Sequence, residues 1–247
     1  MSKLLRFLVV YGWAEDFELA KHPDVLARLV EDARISPTKL GVAAVADEKS
    51  RRRTLSRKSR LVDVIAPFTS YERVSLDEPV ARDLTDLRSH LSVDLSRRRY
   101  VLTKCQSEFT LGDAVGHLRL LCSYITPRYG FLHSEHGLVA LTFPHGITTT
   151  GLSRAVFGRI SDLGQSIGYT REHLNGKLHD VYLLNVLSPL HLGRLVSGKP
   201  LGDWISVGDR GELLEIQADV TAWIVPDKIR PGVRAMLLEE GALITSA

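Results

Sequence analysis

Apolar and polar positions along the chain fall into blocks whose period switches between strand-like and helix-like. Leu4 to Tyr11 is a compact apolar run bounded by Gly12, which predicts a buried strand. His22-Pro23-Asp24 opens a helix, with Pro23 suited to its first position and Val25, Leu26, Leu29 and Val30 on its apolar face. Leu40 to Ala46 predicts a strand, and so does Leu61 to Ala66, ending before Pro67. Residues 77–99 give a mixed signal. Leu84, Leu87 and Leu91 have helical spacing, whereas Asp94 to Arg99 is polar. A strand resumes at Tyr100 to Lys104. Thr110 followed by Asp113 is a capping pattern, so a helix is expected from Leu111 to about Thr126. It turns Val115, Leu118, Leu121, Cys122 and Ile125 inward, and Pro127 ends it.

Phe131 to Phe143 predicts two strands turning near Gly137. Leu152, Val156, Ile160, Leu163 and Ile167 form one helical face, closed by Gly168. Val181 to Leu187 reads as a strand. Ser188-Pro189 then starts a short helix ending near Gly198, with Ser188 as cap. Trp204 to Val207 and Glu212 to Ala218 flank Gly208-Asp-Arg-Gly211, which predicts a hairpin. Ala222 to Val225 is a further strand, Gly232 to Glu240 a last helix stopped by Gly241, and Ala242 to Thr245 an edge strand. Helices and strand pairs alternate irregularly, with hairpins. The expected class is α+β, with a mixed or antiparallel sheet and several helices in one continuous domain, 1–247. The soft points are residues 47–60 and 93–99, and no repeat of 20 to 50 residues is visible.

The 247 residues are 44% apolar and 25% charged, which excludes a mainly disordered chain, a collagen-like chain and a coiled-coil rod. A chain of this length buries enough surface to need no staples. The two cysteines, Cys105 and Cys122, exclude a disulfide-dense scaffold and a cysteine-rich zinc site; buried thiols in a reducing compartment are the expectation. The first apolar stretch contains Arg6 and lacks the shape of a signal peptide, and no apolar run approaches about 18 residues. The expected location is cytoplasmic, with no membrane partner.

Net charge is only +3, but it is unevenly distributed. Lys49, Arg51, Arg52, Arg53, Arg57, Lys58 and Arg60 form a basic run with no acid, read as a mobile loop or a hairpin tip. Asp203, Asp209, Glu212, Glu215 and Asp219 form an acidic stretch with Arg210 as its one base. The basic run fits phosphate backbones or a docking partner, and the absence of an interleaved aromatic residue argues against base stacking.

Familiar chemical motifs fail on inspection. Ser197-Gly198-Lys199-Pro200 lacks the first glycine of a phosphate loop and has Pro200 where the hydroxyl residue belongs. Neither a dinucleotide fingerprint nor a nucleophile elbow is present. The most metal-like cluster is His133-Ser-Glu135-His136 with His145. If this is a strand, His133 and Glu135 share one face and His136 takes the other, so the ligand set is split. A polar turn with exposed histidines is the competing reading. His173, His179 and His191 are read as surface or satisfied groups. Trp13, Trp204, Trp223, Tyr124, Tyr129 and Tyr169 are read mostly as core. No metal or cofactor is expected.

Three stretches together carry a resemblance: Thr126-Pro127-Arg128-Tyr129-Gly130-Phe131 after a helix; Tyr182-Leu-Leu-Asn185-Val-Leu-Ser188-Pro189-Leu-His-Leu192-Gly-Arg-Leu195; and Gly211-Glu-Leu-Leu-Glu-Ile216 before a last short helix. Their order resembles immunity proteins of polymorphic and type VI secretion toxins, over roughly the C-terminal 140 residues. That resemblance implies a non-enzymatic antidote that binds and blocks a cognate toxin. On this reading the acidic stretch steers onto a cationic toxin cleft. Two alternatives stay open. One is a hydrolase using the His133/His136 region; the other is a nucleic-acid-associated or assembly protein using residues 49–60.

Overall fold

The computed structural model describes residues 4–13, 15–17, 22–44, 47–54, 61–65, 73–79, 87–94, 98–136 and 172–244. Its strands are β1 (Leu4–Tyr11), β2 (Lys39–Ala44), β3 (Asp47–Thr54), β4 (Arg73–Pro79), β5 (Leu87–Asp94), β6 (Arg99–Cys105), β7 (Tyr129–His136), β8 (Leu184–Leu187), β9 (Leu195–Val196), β10 (Lys199–Pro200), β11 (Glu212–Gln217) and β12 (Val220–Ile224). Its α-helices are α1 (Pro23–Asp32), α2 (Leu61–Ile65), α3 (Leu111–Cys122), α4 (Pro189–Leu192), α5 (Leu201–Ser206) and α6 (Arg230–Glu239). Ten strands form one sheet in the order β11-β12-β8-β7-β1-β6-β5-β4-β2-β3. Every strand pair described in it is antiparallel. The class is α+β.

The apolar run of β1 is explained by its place at the centre, where both faces of the sheet are covered. Leu8 and Val10 enter one core, beneath Val25, Leu26, Leu29 and Val30 of α1 and Ala114, Val115, Leu118 and Leu121 of α3. Leu5, Phe7, Val9 and Tyr11 enter a second core on the other face. That core is closed by residues 174–182 together with Leu201, Trp204 and Ile205 of α5 and Val233 and Leu237 of α6. A strand clad on both sides has no polar face to alternate with.

Away from the centre the period of two returns. In β5, Leu91 and Val93 join the first core while His90, Ser92 and Asp94 lie on the opposite face, all buried. This resolves the mixed signal of residues 77–99: the spacing of Leu87 and Leu91 is also compatible with one face of a strand, and residues 87–94 are strand β5. Other expectations need correction too. Leu61–Ile65 is a helix, not a strand. Trp204 lies in α5, so Gly208 to Gly211 joins a helix to β11, and the true hairpin turns between β11 and β12. The helix after Ser188 is only Pro189–Leu192, the strand before it starts at Leu184, and α3 stops at Cys122. Leu243 makes an isolated parallel bridge with Leu178 instead of an edge strand. The expected turn near Gly137 and the helix through Leu152–Ile167 lie outside the described residues.

Local chemistry explains the best-formed elements. At α3, Thr110 Oγ1 accepts from the Asp113 amide at 3.1 Å and Asp113 Oδ2 accepts from the Thr110 amide at 2.8 Å, a reciprocal cap. Gly130 is required by a close approach: a Cβ there would sit 2.6 Å from the backbone oxygen of Val9. Gly211 combines φ of 100° with a Cβ position 2.3 Å from the Ile224 oxygen. Asn185 is fully buried within apolar β8; its Oδ1 accepts from the Tyr182 amide at 3.0 Å, and its Nδ2 donates to the Tyr182 oxygen at 3.0 Å and the Trp223 oxygen at 3.3 Å.

Asn185→Leu keeps the volume but strands those backbone groups, so a loss of about 3 kcal/mol is expected in urea denaturation. Gly130→Ala is expected to destabilise to a similar degree, because the β1–β7 ladder must part to admit a methyl group.

Candidate functional site

Two side-chain relays have the look of catalytic machinery, and both resolve into structural ties. On the first face, the phenol of Tyr100 meets His117 Nε2 at 2.5 Å, and His117 Nδ1 meets Asp32 Oδ2 at 2.5 Å. A carboxylate only accepts, so Nδ1–H donates to Asp32 and the Tyr100 O–H donates to Nε2. Burial holds the Tyr100 phenol well above its usual range, which keeps it protonated. The hydrogen bond from His117 holds Asp32 below the usual carboxylate range. The solvent end of this relay is Asp32, with its side chain 41% exposed, whereas Tyr100 is wholly buried. A nucleophile needs the reverse orientation. The relay instead ties α1 and α3 to β6.

On the second face, His191 Nε2–H donates to the His173 oxygen at 2.8 Å, so its Nδ1 accepts from Ser188 Oγ at 2.9 Å. Ser188 and His191 are 2% and 0% exposed, so this pair caps α4 and offers no reactive oxygen to solvent. Around it lies a buried lattice of rings. Tyr129 stacks on His191 with centroids 5.2 Å apart, Phe131 stacks on Tyr182 at 4.2 Å, and His173 lies 4.7 Å from Tyr11. The Tyr129 hydroxyl accepts from the His179 amide at 2.9 Å, and His179 Nδ1 meets the Tyr182 hydroxyl at 2.6 Å. Burial pulls the His179 imidazole down to about 3 and that of His191 to about 4, so both stay neutral.

Of the metal-like cluster, the structure describes His133 and the strand register at Glu135 and His136. Register along β7 pairs His133 with Phe7, Glu135 with Leu5 and His136 with Leu4. The His133 ring packs edge-on against Phe7 and Tyr182, both at 5.3 Å. His145 lies outside the described residues. Among the described residues no group of three or more His, Cys, Asp or Glu side chains is arranged to hold a metal. His173, His179 and His191 prove buried and bonded; Trp204, Trp223 and Tyr129 are core, Trp13 and Tyr124 are partly buried, and Tyr169 is outside the described residues.

The two charged stretches lie at opposite ends of the sheet. Lys49, Arg51, Arg52 and Arg53 belong to β3, an edge strand paired to β2 and not a loop; Arg57, Lys58 and Arg60 fall outside the described residues. Glu212 and Glu215 are on β11, the other edge, and Asp219 is in the β11–β12 turn with φ of 65°. Nine strand spacings of roughly 4.8 Å separate the edges by about 40 Å along the sheet. Asp203 on α5 and Asp209 after it are also exposed, as are Glu212, Glu215 and Asp219.

Arg210, the one base of the acidic stretch, turns to Trp204 and Val207. Its guanidinium lies over the Trp204 ring at 4.1 Å and donates to the Trp204 and Val207 oxygens at 2.5 and 2.7 Å. Three large apolar side chains that sequence reasoning did not single out are also exposed. Leu190 is 61% exposed, Leu195 65% and Val207 59%, on a unit in which α5 packs against α4, β9 and β10. Hydrophobic residues in short irregular elements carry no periodic signal, so only the fold reveals them as exposed.

No protein-family model matches the chain, and no curated protein matches it. Among solved structures, the fold is similar to "Pseudomonas aeruginosa T6SS protein PA0821", with a TM-score of 0.56 and 11% identity, covering 98% of this chain and 73% of that one. The likeness is one of fold. Among the described residues, no helix is long and apolar enough to cross a membrane.

Neutral burial of two histidines sets a pH dependence. An unfolded histidine titrates near 6.5, whereas these two resist protonation until about 3 and 4. Between pH 6.5 and 4 the unfolded chain therefore binds more protons, and stability falls as pH falls, by about 1.4 kcal/mol per pH unit for each histidine. Urea midpoints measured across that window should show the decline, and replacing His191 by Gln should remove part of it.

Proposed function

We propose that this chain is a T6SS-associated immunity protein, a cytoplasmic, non-enzymatic inhibitor that binds a cognate toxin and blocks it. The observation that carries the reading is the fold shared with a T6SS protein across 98% of the chain. It agrees with the resemblance of the Tyr129-Gly130, Asn185 and Ser188-Pro189 segments to immunity proteins. The relays support a binding role over catalysis, because the described hydroxyls bonded to His117 and His191 are buried.

The docking surface in this reading is the acidic edge of the sheet. Asp203, Asp209, Glu212, Glu215 and Asp219 supply a negative field, and Leu190, Leu195 and Val207 supply apolar anchors on a packed unit. Charge of this kind speeds encounter with a cationic cleft, and apolar anchors hold the complex once formed.

Captured on the tagged protein, a secreted toxin is expected to elute as a one-to-one complex that survives high salt, and co-expression should restore growth. Glu212→Lys with Glu215→Lys is expected to slow association about tenfold at low salt, with little change at high salt. Rescue of growth without a stable complex, or turnover of a toxin product, would overturn the proposal.

A further inference from the structure

Strand β11 ends the sheet on one side, and among the described residues its one strand neighbour is β12. In an antiparallel ladder alternate residues turn their N–H and C=O groups away from the partner, so those of β11 face outwards along the edge. Its apolar residues are half-buried on both faces. Leu214 and Ile216 pack against the core that contains α3, and Leu213 packs against the core that contains Trp204 and Ile205 of α5. Both helices contact β11. A further strand would complete such an edge, because its own side chains would cover these residues on each face.

The sequence sets which strand fits. Residues 212–215 read Glu-Leu-Leu-Glu, with both carboxylates exposed. Successive side chains alternate between faces, so Glu212 shares a face with Leu214, and Glu215 with Leu213. The ladder is regular over these four residues and shifts register between Glu215 and Gln217, a bulge that twists the strand beyond. Opposite the regular part a partner must place basic, apolar, apolar and basic residues in turn, since opposite charges across a ladder attract and like charges repel. The motif is palindromic, so one order serves a parallel or an antiparallel partner. The wider charge agrees: from Asp203 to Asp219 there are five acids and one base, Arg210, which lies over Trp204.

A second copy of the chain does not meet this requirement. Antiparallel pairing of two β11 strands about the centre of the motif sets Glu212 against Glu215, carboxylate opposite carboxylate. The other end of the sheet, β3, reads Asp47-Glu-Lys-Ser-Arg-Arg-Arg-Thr54 and has no apolar residue to cover the leucines.

We propose that β11 accepts an added strand from a partner protein, an extended segment with the order basic, apolar, apolar, basic. The identity of that partner as a toxin rests on the reading above; the chemistry of the edge does not. Main-chain hydrogen bonds supply affinity in such an addition, and the alternating side chains supply specificity. Glu212 and Glu215 act twice: they guard an open edge against self-pairing, and they select a cationic strand.

The test uses the purified chain without toxin and the synthetic peptide acetyl-Thr-Val-Arg-Val-Val-Arg-Val-Thr-amide. Saturable NMR shifts and slowed hydrogen exchange are expected at alternate amides of β11. Two forms of the peptide, N-methylated at the odd or at the even residues, keep its charge; one is expected to bind and the other to fail, because only one set of amides faces the edge. Glu212→Lys with Glu215→Lys should weaken binding about tenfold, and a peptide with Glu in place of both Arg should restore it on that variant. Equal binding of the two N-methylated forms means charge attraction without strand addition and overturns the proposal. So does an absence of shifts along β11, or a dimer of the chain protected there instead. None of these results touches toxin capture, which decides the inhibitor reading separately.

Discussion

The structure depends on burying both faces of β1. A strand covered on one side alternates apolar and polar residues, but β1 places Leu8 and Val10 under two helices and Phe7, Val9 and Tyr11 under the C-terminal third of the chain. That double burial fixes register on both flanks, because a slip of one residue would exchange the two sets of side chains. It also forces backbone economy at the crossing with β7, where only glycine fits at position 130 beneath the Val9 oxygen. Antiparallel pairing then extends outwards in both directions until the sheet ends at β11 and β3.

Polar groups taken into these cores are bound to one another in short chains, and their environment decides their chemistry. Imidazoles that hold carbonyl, hydroxyl and phenol partners away from water remain neutral, as with His179 and His191. The same burial that makes them useful as ties prevents them from handling a substrate. Among the described residues, these imidazoles lie inside, whereas the carboxylates of β11 and Leu190, Leu195 and Val207 lie outside.

Much of the fold was legible in the sequence where one physical signal dominated. The β1 run, Pro23 at the start of α1, the Thr110–Asp113 cap and the inward face of α3 all act through neighbours close in the chain. Leu87 and Leu91 left their stretch open because leucines four apart satisfy a strand face as well as a helix face. Leu61–Ile65 misled because a short apolar run carries no decisive period. Of the candidate sites, the acidic residues proved exposed, as a cluster of carboxylates with one base should be.

By itself the sequence determined the α+β class, the two charged segments, and the local caps at Ser188 and at the start of α3, whereas the roles of Gly130 and Asn185 arise from contacts with Val9 and Trp223. Tertiary structure alone decided that the charged segments occupy opposite sheet edges, that Arg210 turns inward over Trp204, and that Asp32, Tyr100 and His117 meet across three elements. The reason is the range of the forces involved. Caps, turns and periodicity are set by neighbours within a few residues, whereas a site is set by contacts between segments up to about a hundred residues apart, whose proximity exists only once the sheet has closed around β1.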